Sequence, residues 1–339
     1  MSSTSLPAKI RSVLQPDFQT TDLILTELPI QQAKEGTDEH LIKVYATAPC
    51  AGELLWVKNF PAIMQPGKIG VPCYDLSGVV VTAPVNSPFQ PGTEVYTRTN
   101  AGRTANAREY TIALTSELAL KPKNLSWEES ASVPLSAFTA YQALFEHGGL
   151  KLGWKDEAGK HENARKRVLI TAAAGGVGVW VVQLAKAAGV KEIIAVVGPN
   201  NVDFVKSLGA TEVINYKQQS LGAWAAASNP KVDLVIDMVG GQTLADAWTA
   251  VKDGGILLSV NEPPENRKPK ENAPKDVTNL FFIMRPEGWQ LKEVAELLEK
   301  GEVRVVVDSV WKLGEFKEAF ARLESGHARG KVIIKIQSD

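Results

Sequence analysis

Two rhythms of apolar and polar positions divide the chain. Between residues 8 and 125, short runs at 9–14, 23–28, 41–46, 78–82, 94–99 and 109–114 alternate or mix apolar with polar residues, and Pro and Gly turns separate them. Half-buried antiparallel strands give this alternation, so the segment predicts a compact antiparallel β-barrel. From Arg167 the runs become apolar throughout: 167–171, 192–198, 212–215, 232–239, 255–260 and 280–284, with helix-period segments between them, such as 202–208. Strands buried on both faces and joined by helices are parallel, so these six predict a doubly wound α/β sheet. The tail returns to the first rhythm, with a strand at 303–307 (VRVVV), a helix near 316–323 and a last strand at 331–336.

The domain reading is therefore 1–125 with 303–339 as one unit and 126–302 as the nucleotide-binding unit. Ser126 with Glu129 forms a capping box at the junction and opens a helical segment running through 134–145. Residues 151–166 are polar and read as a surface loop, 262–276 as a Pro- and charge-rich loop, and 289–300 as an amphipathic helix. No internal repeat or low-complexity segment interrupts this order.

The first parallel strand runs into the turn Ala172-Ala-Ala-Gly-Gly-Val-Gly178 and then a helix ending at Gly189. A pyrophosphate must approach backbone N–H groups at a helix N-terminus, so side chains at such a turn have to be absent or small. Ala172, Gly175 and Gly178 meet that need in an AxxGxxG spacing, with Gly176 added. NAD sites place an acid about 20 residues on, at the tip of the second strand. Here that tip reads Gly198-Pro-Asn200-Asn201, without a carboxylate to repel a 2′-phosphate. The reading is NADPH, with Asn200, Lys206, Tyr216 and Lys217 as candidate donors.

Composition narrows the function classes. The chain has 339 residues, 44% apolar and 22% charged, with a net charge of −1. That balance gives no electrostatic case for nucleic acid or an anionic membrane surface, and no apolar run approaches the ~20 residues that span a bilayer. The two cysteines, Cys50 and Cys73, exclude a disulfide framework and a four-cysteine zinc lobe. The N-terminus is rich in Ser and Thr and lacks acids up to Asp17, as transit peptides do, but residues 9–14 already read as a strand. A cytoplasmic location is expected.

The whole chain resembles the medium-chain dehydrogenase/reductase superfamily, in its zinc-independent quinone oxidoreductase branch. The resemblance is carried by AAAGGVG at 172–178, ASVPLSAFTAYQAL at 131–144, SLGATEVINY at 207–216, DMVGG at 237–241 and RGKVII at 329–334. It implies a GroES-like barrel built from both chain ends, a Rossmann domain, an active site in the cleft between them, and a homodimer. It also implies reduction of quinones or of the C=C bond of α,β-unsaturated carbonyls by NADPH. On the cofactor it places backbone from Ala174 to Val177 on the pyrophosphate, Thr139 beneath the nicotinamide, Gly240, Ser259 and Val260 beside ribose and ring, Phe282 along the carboxamide, and Lys331 on the phosphates.

Zinc-dependent relatives hold their metal with Cys, His-Glu and a second Cys. Cys50 matches the first position, Tyr74 falls where the histidine would be and Leu135 roughly where the second cysteine would be, so three protein ligands are not available. The stretch LLWVKNFPAI after Cys50 lacks the tyrosine found there in double-bond reductases of the superfamily. Tyr74 is the candidate proton donor or carbonyl clamp, and Cys50 is placed near the nicotinamide. Asp75 is read as a structural hydrogen-bonding acid, and Trp56 and Phe60 as pocket-lining or core aromatics. The expected partner is a small-molecule acceptor. Two rival readings stand beside this one: a dedicated enoyl or imine reductase of a biosynthetic pathway, and a non-catalytic NADPH-binding sensor or structural protein.

Overall fold

A computed structural model describes residues 6–337. The first five residues, the opening of the acid-free Ser/Thr-rich run, lie outside the described part. The chain forms two compact units, one comprising the residues up to Leu135 together with those from Arg285 onward, the other Ser136–Met284.

In the first unit, strands β1 (Lys9–Leu14) and β2 (Ile24–Pro29) form an antiparallel pair. They are followed by β3 (Glu39–Ala48), β4 (Asp75–Thr82), β5 (Glu94–Arg98), β6 (Tyr110–Leu114) and β7 (Ala119–Leu120). The second unit carries β8 (Arg167–Ile170), β9 (Glu192–Val197), β10 (Glu212–Asn215), β11 (Val232–Asp237), β12 (Val251–Ser259) and β13 (Thr278–Phe281). The chain then returns to the first unit with β14 (Val307–Lys312) and β15 (Lys331–Lys335).

The main sheet of the first unit has the order β14-β15-β3-β4-β5-β7, with β6 on β3 as well. All its pairs are antiparallel except β14 with β15. Strand β3 serves three neighbours because β4 takes one edge of its ten residues while β6 (at 39–43) and β15 (at 46–47) divide the other, and two register shifts against β4, at Leu41/Ile42 and Val44/Ala46, bend it. Inside it Val13, Ile42, Val44, Leu76, Val95, Phe320 and Val332 make one apolar core.

The second unit is a six-stranded sheet, β10-β9-β8-β11-β12-β13, parallel at every pair. Its winding reverses between β8 and β11, and in doubly wound sheets ligands bind outside the carboxyl ends at that switch point. Leu169, Ile194, Val235 and Leu257 in its strands and Trp248 in the helix Gly241–Ala250 are fully buried, as the uninterrupted apolar runs require.

Several elements depart from the sequence expectation. The chain passes between the units at 135/136 and 284/285, not 125/126 and 302/303: the helix Trp127–Ala131 packs on β3 and β4, with the Ser77 hydroxyl donating to the Trp127 carbonyl at 2.6 Å, and the helix Gly288–Glu299 packs in the first unit as well. The Tyr96 hydroxyl donates to the Leu291 carbonyl at 2.8 Å, and a Cβ on Gly288 would lie 2.1 Å from the Leu118 carbonyl. The tail strand is Val307–Lys312 and leaves 303–306 outside it. Residues 151–166 are not all loop: Asp156 accepts the N–H groups of Ala158 and Gly159 at 3.0 Å and starts a helix over Glu157–Asn163. The Ser126–Glu129 capping box forms, but its helix stops at Ala131, and a second begins at Pro134, which has no N–H to continue the first. Among the described residues no helix is long and apolar enough to cross a membrane.

Candidate active site

Because β8 to β13 all run the same way, their carboxyl ends share one edge, and the glycine turn sits there. Gly178 begins the helix Gly178–Ala187, and a Cβ on it would lie 2.4 Å from the Ala172 carbonyl oxygen and 2.6 Å from Ala173 Cα. Only glycine permits that strand-to-helix approach. A Cβ on Gly175 would meet the same carbonyl at 3.3 Å. Ala172 itself takes φ 46°, a left-handed conformation that costs a residue with a Cβ about 1 kcal/mol or more, so the tight turn is held by its surroundings.

Asp237, fully buried at the end of β11, ties three strand ends together. Its Oδ1 accepts from the Thr171 hydroxyl at 2.8 Å, and its Oδ2 accepts from the Gly240 N–H at 2.8 Å and the Ser259 hydroxyl at 3.3 Å. Burial pushes the Asp237 carboxyl upward against the opposing pull of those donors. Gly240 has φ 76°, and a Cβ there would strike Asn261 at 2.6 Å. The Ser259 side chain is thereby engaged within the protein, its carbonyl accepts the Phe282 N–H at 3.2 Å, and the Val260 N–H donates to the Asp237 carbonyl at 3.1 Å.

At the tip of β9, Gly198 has Tyr216 above it, with the phenol oxygen 2.9 Å from where a Cβ would sit. Tyr216 is 55% exposed and the Lys217 ammonium lies 5.7 Å from its ring centre. Asn200 is exposed on the same tip. Thr139 lies buried on the helix Pro134–Tyr141, and Phe282 packs against His147 at 4.8 Å between ring centres.

In the first unit, the segment Cys73-Tyr74-Asp75 is fastened at every residue. Cys73 holds φ 69°, and its N–H donates to Glu53 Oε1 at 3.0 Å. Thr47 donates to the Cys73 carbonyl at 3.2 Å, and the Asn106 amide donates to the Tyr74 carbonyl at 2.6 Å. Tyr74 is 4% exposed, stacks on Trp56 at 5.4 Å, and accepts a hydrogen bond from Lys68 Nζ at 2.6 Å. Lys68 also donates to the Ala101 carbonyl. Burial lowers the Lys68 ammonium to about 8, with Glu53 opposing the shift and Arg98 adding to it. Burial raises the Tyr74 phenol, which stays protonated.

Cys50 is a thiol, pushed up to about 11 by burial. Glu53 is raised to about 7 by the same cause. Lys331 is displaced from its expected role: its ammonium is buried in the first unit, 3.1 Å from Asp75 Oδ2 and 3.0 Å from the Pro49 carbonyl, and is committed to that ion pair in place of a phosphate. The Asp75 Oδ1 accepts the Leu135 N–H at 2.7 Å. Phe60 is 44% exposed and does not join Trp56 on Tyr74.

Sequence reasoning missed Lys68, Glu53 and Arg98. They stand six residues before, 21 before and 24 after Tyr74; pairing of β4 with β5 sets Arg98 opposite Asp75, while Lys68 comes from a loop and Glu53 from a 3-10 turn over Glu53–Leu55. Among the described residues no group of three or more His, Cys, Asp or Glu side chains is placed to hold a metal ion.

Comparison with known proteins adds the following. Residues 208–334 match the family model described as zinc-binding dehydrogenase. The chain is 50% identical over 336 residues, 99% of each chain, to a "probable zinc-binding oxidoreductase, mitochondrial" of Arthroderma benhamiae. It is 32% identical over 88% of its length, and 90% of the other, to a "quinone-oxidoreductase homolog, chloroplastic" of Spinacia oleracea. The quinone oxidoreductase of Coxiella burnetii superposes with a TM-score of 0.80 at 25% identity, covering 97% of this chain and 100% of that one. The expected cytoplasmic location is overturned by the Arthroderma relative, which is named as mitochondrial. Strand β1, used as the argument against a targeting segment, does form, but a folded strand carries no information about compartment.

Proposed function

The chain belongs to the quinone oxidoreductase-like family of medium-chain dehydrogenases/reductases, and from that premise we propose that it reduces a quinone or an α,β-unsaturated carbonyl with NADPH, without zinc. The observation that carries this reading is the 2.6 Å hydrogen bond from Lys68 to the Tyr74 hydroxyl, at the position where a metal-dependent relative would have its histidine. With Tyr74 and Leu135 at two of the metal-ligand positions and Cys50 protonated, the first unit offers a proton donor in place of a Lewis acid.

The glycine turn and the Asp237-bound strand ends fit a dinucleotide. Backbone of Ala174 to Val177 would hold the pyrophosphate, Gly240, Ser259 and Val260 the ribose and ring, and Thr139 and Phe282 the nicotinamide. The preference for NADPH rests on the β9 tip, where Asn200, Tyr216 and Lys217 stand and no carboxylate does. When bound, NADPH supplies a hydride to the electron-poor carbon of the acceptor.

The chain's own part is the proton. As a C–H bond forms on the acceptor, the electron pair of its conjugated system moves onto oxygen. Tyr74, kept neutral by burial, donates its proton to that oxygen, and Lys68 replaces it through the hydrogen bond already present. With its ammonium near pH 8, Lys68 gives up that proton far more readily than an ordinary lysine. We assign a mitochondrial compartment, following the Arthroderma relative, and a homodimer, following the family.

The test is oxidation of NADPH at 340 nm by purified protein with a panel of quinones, enones and enoyl thioesters, with NADH and a chelator in parallel. Chelator-resistant, NADPH-selective turnover supports the reading. Turnover of an enoyl thioester alone replaces it with the dedicated enoyl reductase, and cofactor binding with no turnover replaces it with the sensor.

A further inference from the structure

Arg98 closes β5, opposite Asp75, as a charged side chain that the fold buries without an ion-pair contact. It is 3% exposed. Its Nε is buried without a hydrogen-bond partner, and no ion pair among the described residues includes its guanidinium. The carboxylates in its field are used elsewhere: Asp75 is held by Lys331, and Glu117 is engaged by Arg103 and by the N–H groups of Asn100 and Leu114. What the guanidinium does face is Tyr74, whose ring centre lies 5.5 Å from it. Lys68 Nζ lies 5.0 Å from the same ring centre and likewise has only neutral acceptors. Glu53, the remaining acid nearby, is raised to about 7 by burial; its Oε1 accepts the Cys73 N–H, its Oε2 has no hydrogen-bond partner, and no ion pair with the Arg98 guanidinium forms.

A buried guanidinium with an unpartnered Nε and no ion-pair contact, sharing one phenol with a half-buried ammonium, is an arrangement a folded chain avoids unless a ligand completes it. A planar guanidinium offers paired N–H donors to an oxygen. We propose that Arg98 is an acceptor-binding residue that takes a negatively charged oxygen of the substrate beside Tyr74, so that the enzyme selects carbonyl acceptors bearing a conjugated oxyanion or developing one as hydride adds. This rests on the reductase reading above and gives its substrate a charge. The two sources of the oxyanion differ kinetically. An anion already on the acceptor is bound in the ground state and appears in KM, whereas one that develops on the carbonyl oxygen is bound only in the transition state and appears in kcat.

The experiment compares wild type with Arg98→Gln and Arg98→Lys on a matched pair of enones, the anionic 3-benzoylacrylate and its neutral methyl ester, and measures NADPH dissociation constants alongside. Far-ultraviolet dichroism and melting check that the variants fold. The expected result is a loss of 10²-fold or more in kcat/KM for acceptor in Arg98→Gln, with NADPH affinity unchanged and partial recovery on adding guanidinium chloride at low concentration. A loss confined to KM for the anionic enone identifies a substrate carboxylate, and a loss in kcat for both enones identifies the developing oxyanion. Arg98→Lys, which keeps the charge without the fork, should retain more activity than Arg98→Gln. Unchanged kinetics in folded Arg98→Gln, or a loss of NADPH affinity in place of acceptor kinetics, overturns the proposal. Absence of turnover by wild type on both enones and on the quinone panel would instead overturn the reductase reading.

Discussion

Asp75→Asn isolates one charge in the first unit. The side chain keeps its shape, and the amide oxygen can still accept the Leu135 N–H that the carboxylate accepts at 2.7 Å. The lost element is the negative partner of Lys331, 3.1 Å away, in a pair whose side chains are 0% and 6% exposed. Removing one member of such a buried pair strands the other and costs about 3–5 kcal/mol. For a domain of this size class each kcal/mol lowers the melting temperature by roughly 2–4 °C, so the transition of the first unit should fall by about 6–20 °C. The sign of the pH effect follows from the same picture. Without Asp75, the Lys331 ammonium has a folded pKa below its unfolded one, the folded state binds fewer protons, and stability should recover as pH rises through that window. Differential scanning calorimetry of the cofactor-free protein at pH 7 and 9 reads both effects. Lys331→Met in the Asp75→Asn background should restore most of the loss, because it removes the stranded charge. A shift under 2 °C, or no recovery in the double variant, refutes the claim that this pair is a buried, charge-balanced unit.

Other outcomes follow from the sites described. Gly175→Asp should abolish NADPH binding, since a carboxylate would stand where the pyrophosphate belongs and its Cβ would already crowd the Ala172 carbonyl at 3.3 Å; affinity retained in titration calorimetry rejects the cradle. Tyr74→Phe should cut turnover by ~10²-fold or more if the phenol is the proton donor, and an unchanged rate leaves water in that role. Wild-type kcat should fall above about pH 8, where Lys68 loses the proton it relays, and Lys68→Met should erase that limb at a much lower rate. Glu53→Gln keeps an acceptor for the Cys73 N–H and removes a carboxyl that burial raises to about 7, so the variant should gain stability relative to wild type above pH 7, where the buried group is charged; equal denaturant midpoints at pH 8 would show that Glu53 is not buried in the way described.

The second unit was legible because its signals are local. Uninterrupted apolar strands and a small-residue turn stand next to one another in the chain, and each strand lies within four residues of its expected start. Residues 151–166 misled because polar composition is shared by loops and by exposed helices, and the Asp156 cap was the overlooked cue. Of the polar cluster around Cys73-Tyr74-Asp75 in the first unit, Tyr74, Asp75 and Cys50 were the candidates legible in sequence. Lys68, Arg98 and Glu53 reach it from separate loops and strands, and a lysine near a glycine or an arginine at a strand end has no signature of burial in sequence. Lys331 misled for the complementary reason: a lysine in RGK looks free to reach a phosphate until the fold shows Asp75 against it.

The central claim is that hydride goes to a conjugated carbon and that a protein side chain supplies the proton. It is tested most directly by label transfer from NADPH deuterated at C4, with the two stereoisomers run separately against 4-phenyl-3-buten-2-one and the product read by mass and NMR spectra. The account predicts a saturated ketone carrying one deuterium at the β-carbon from one of the two stereoisomers. Deuterium on a carbinol carbon, with the double bond intact, would show alcohol dehydrogenase chemistry and contradict it.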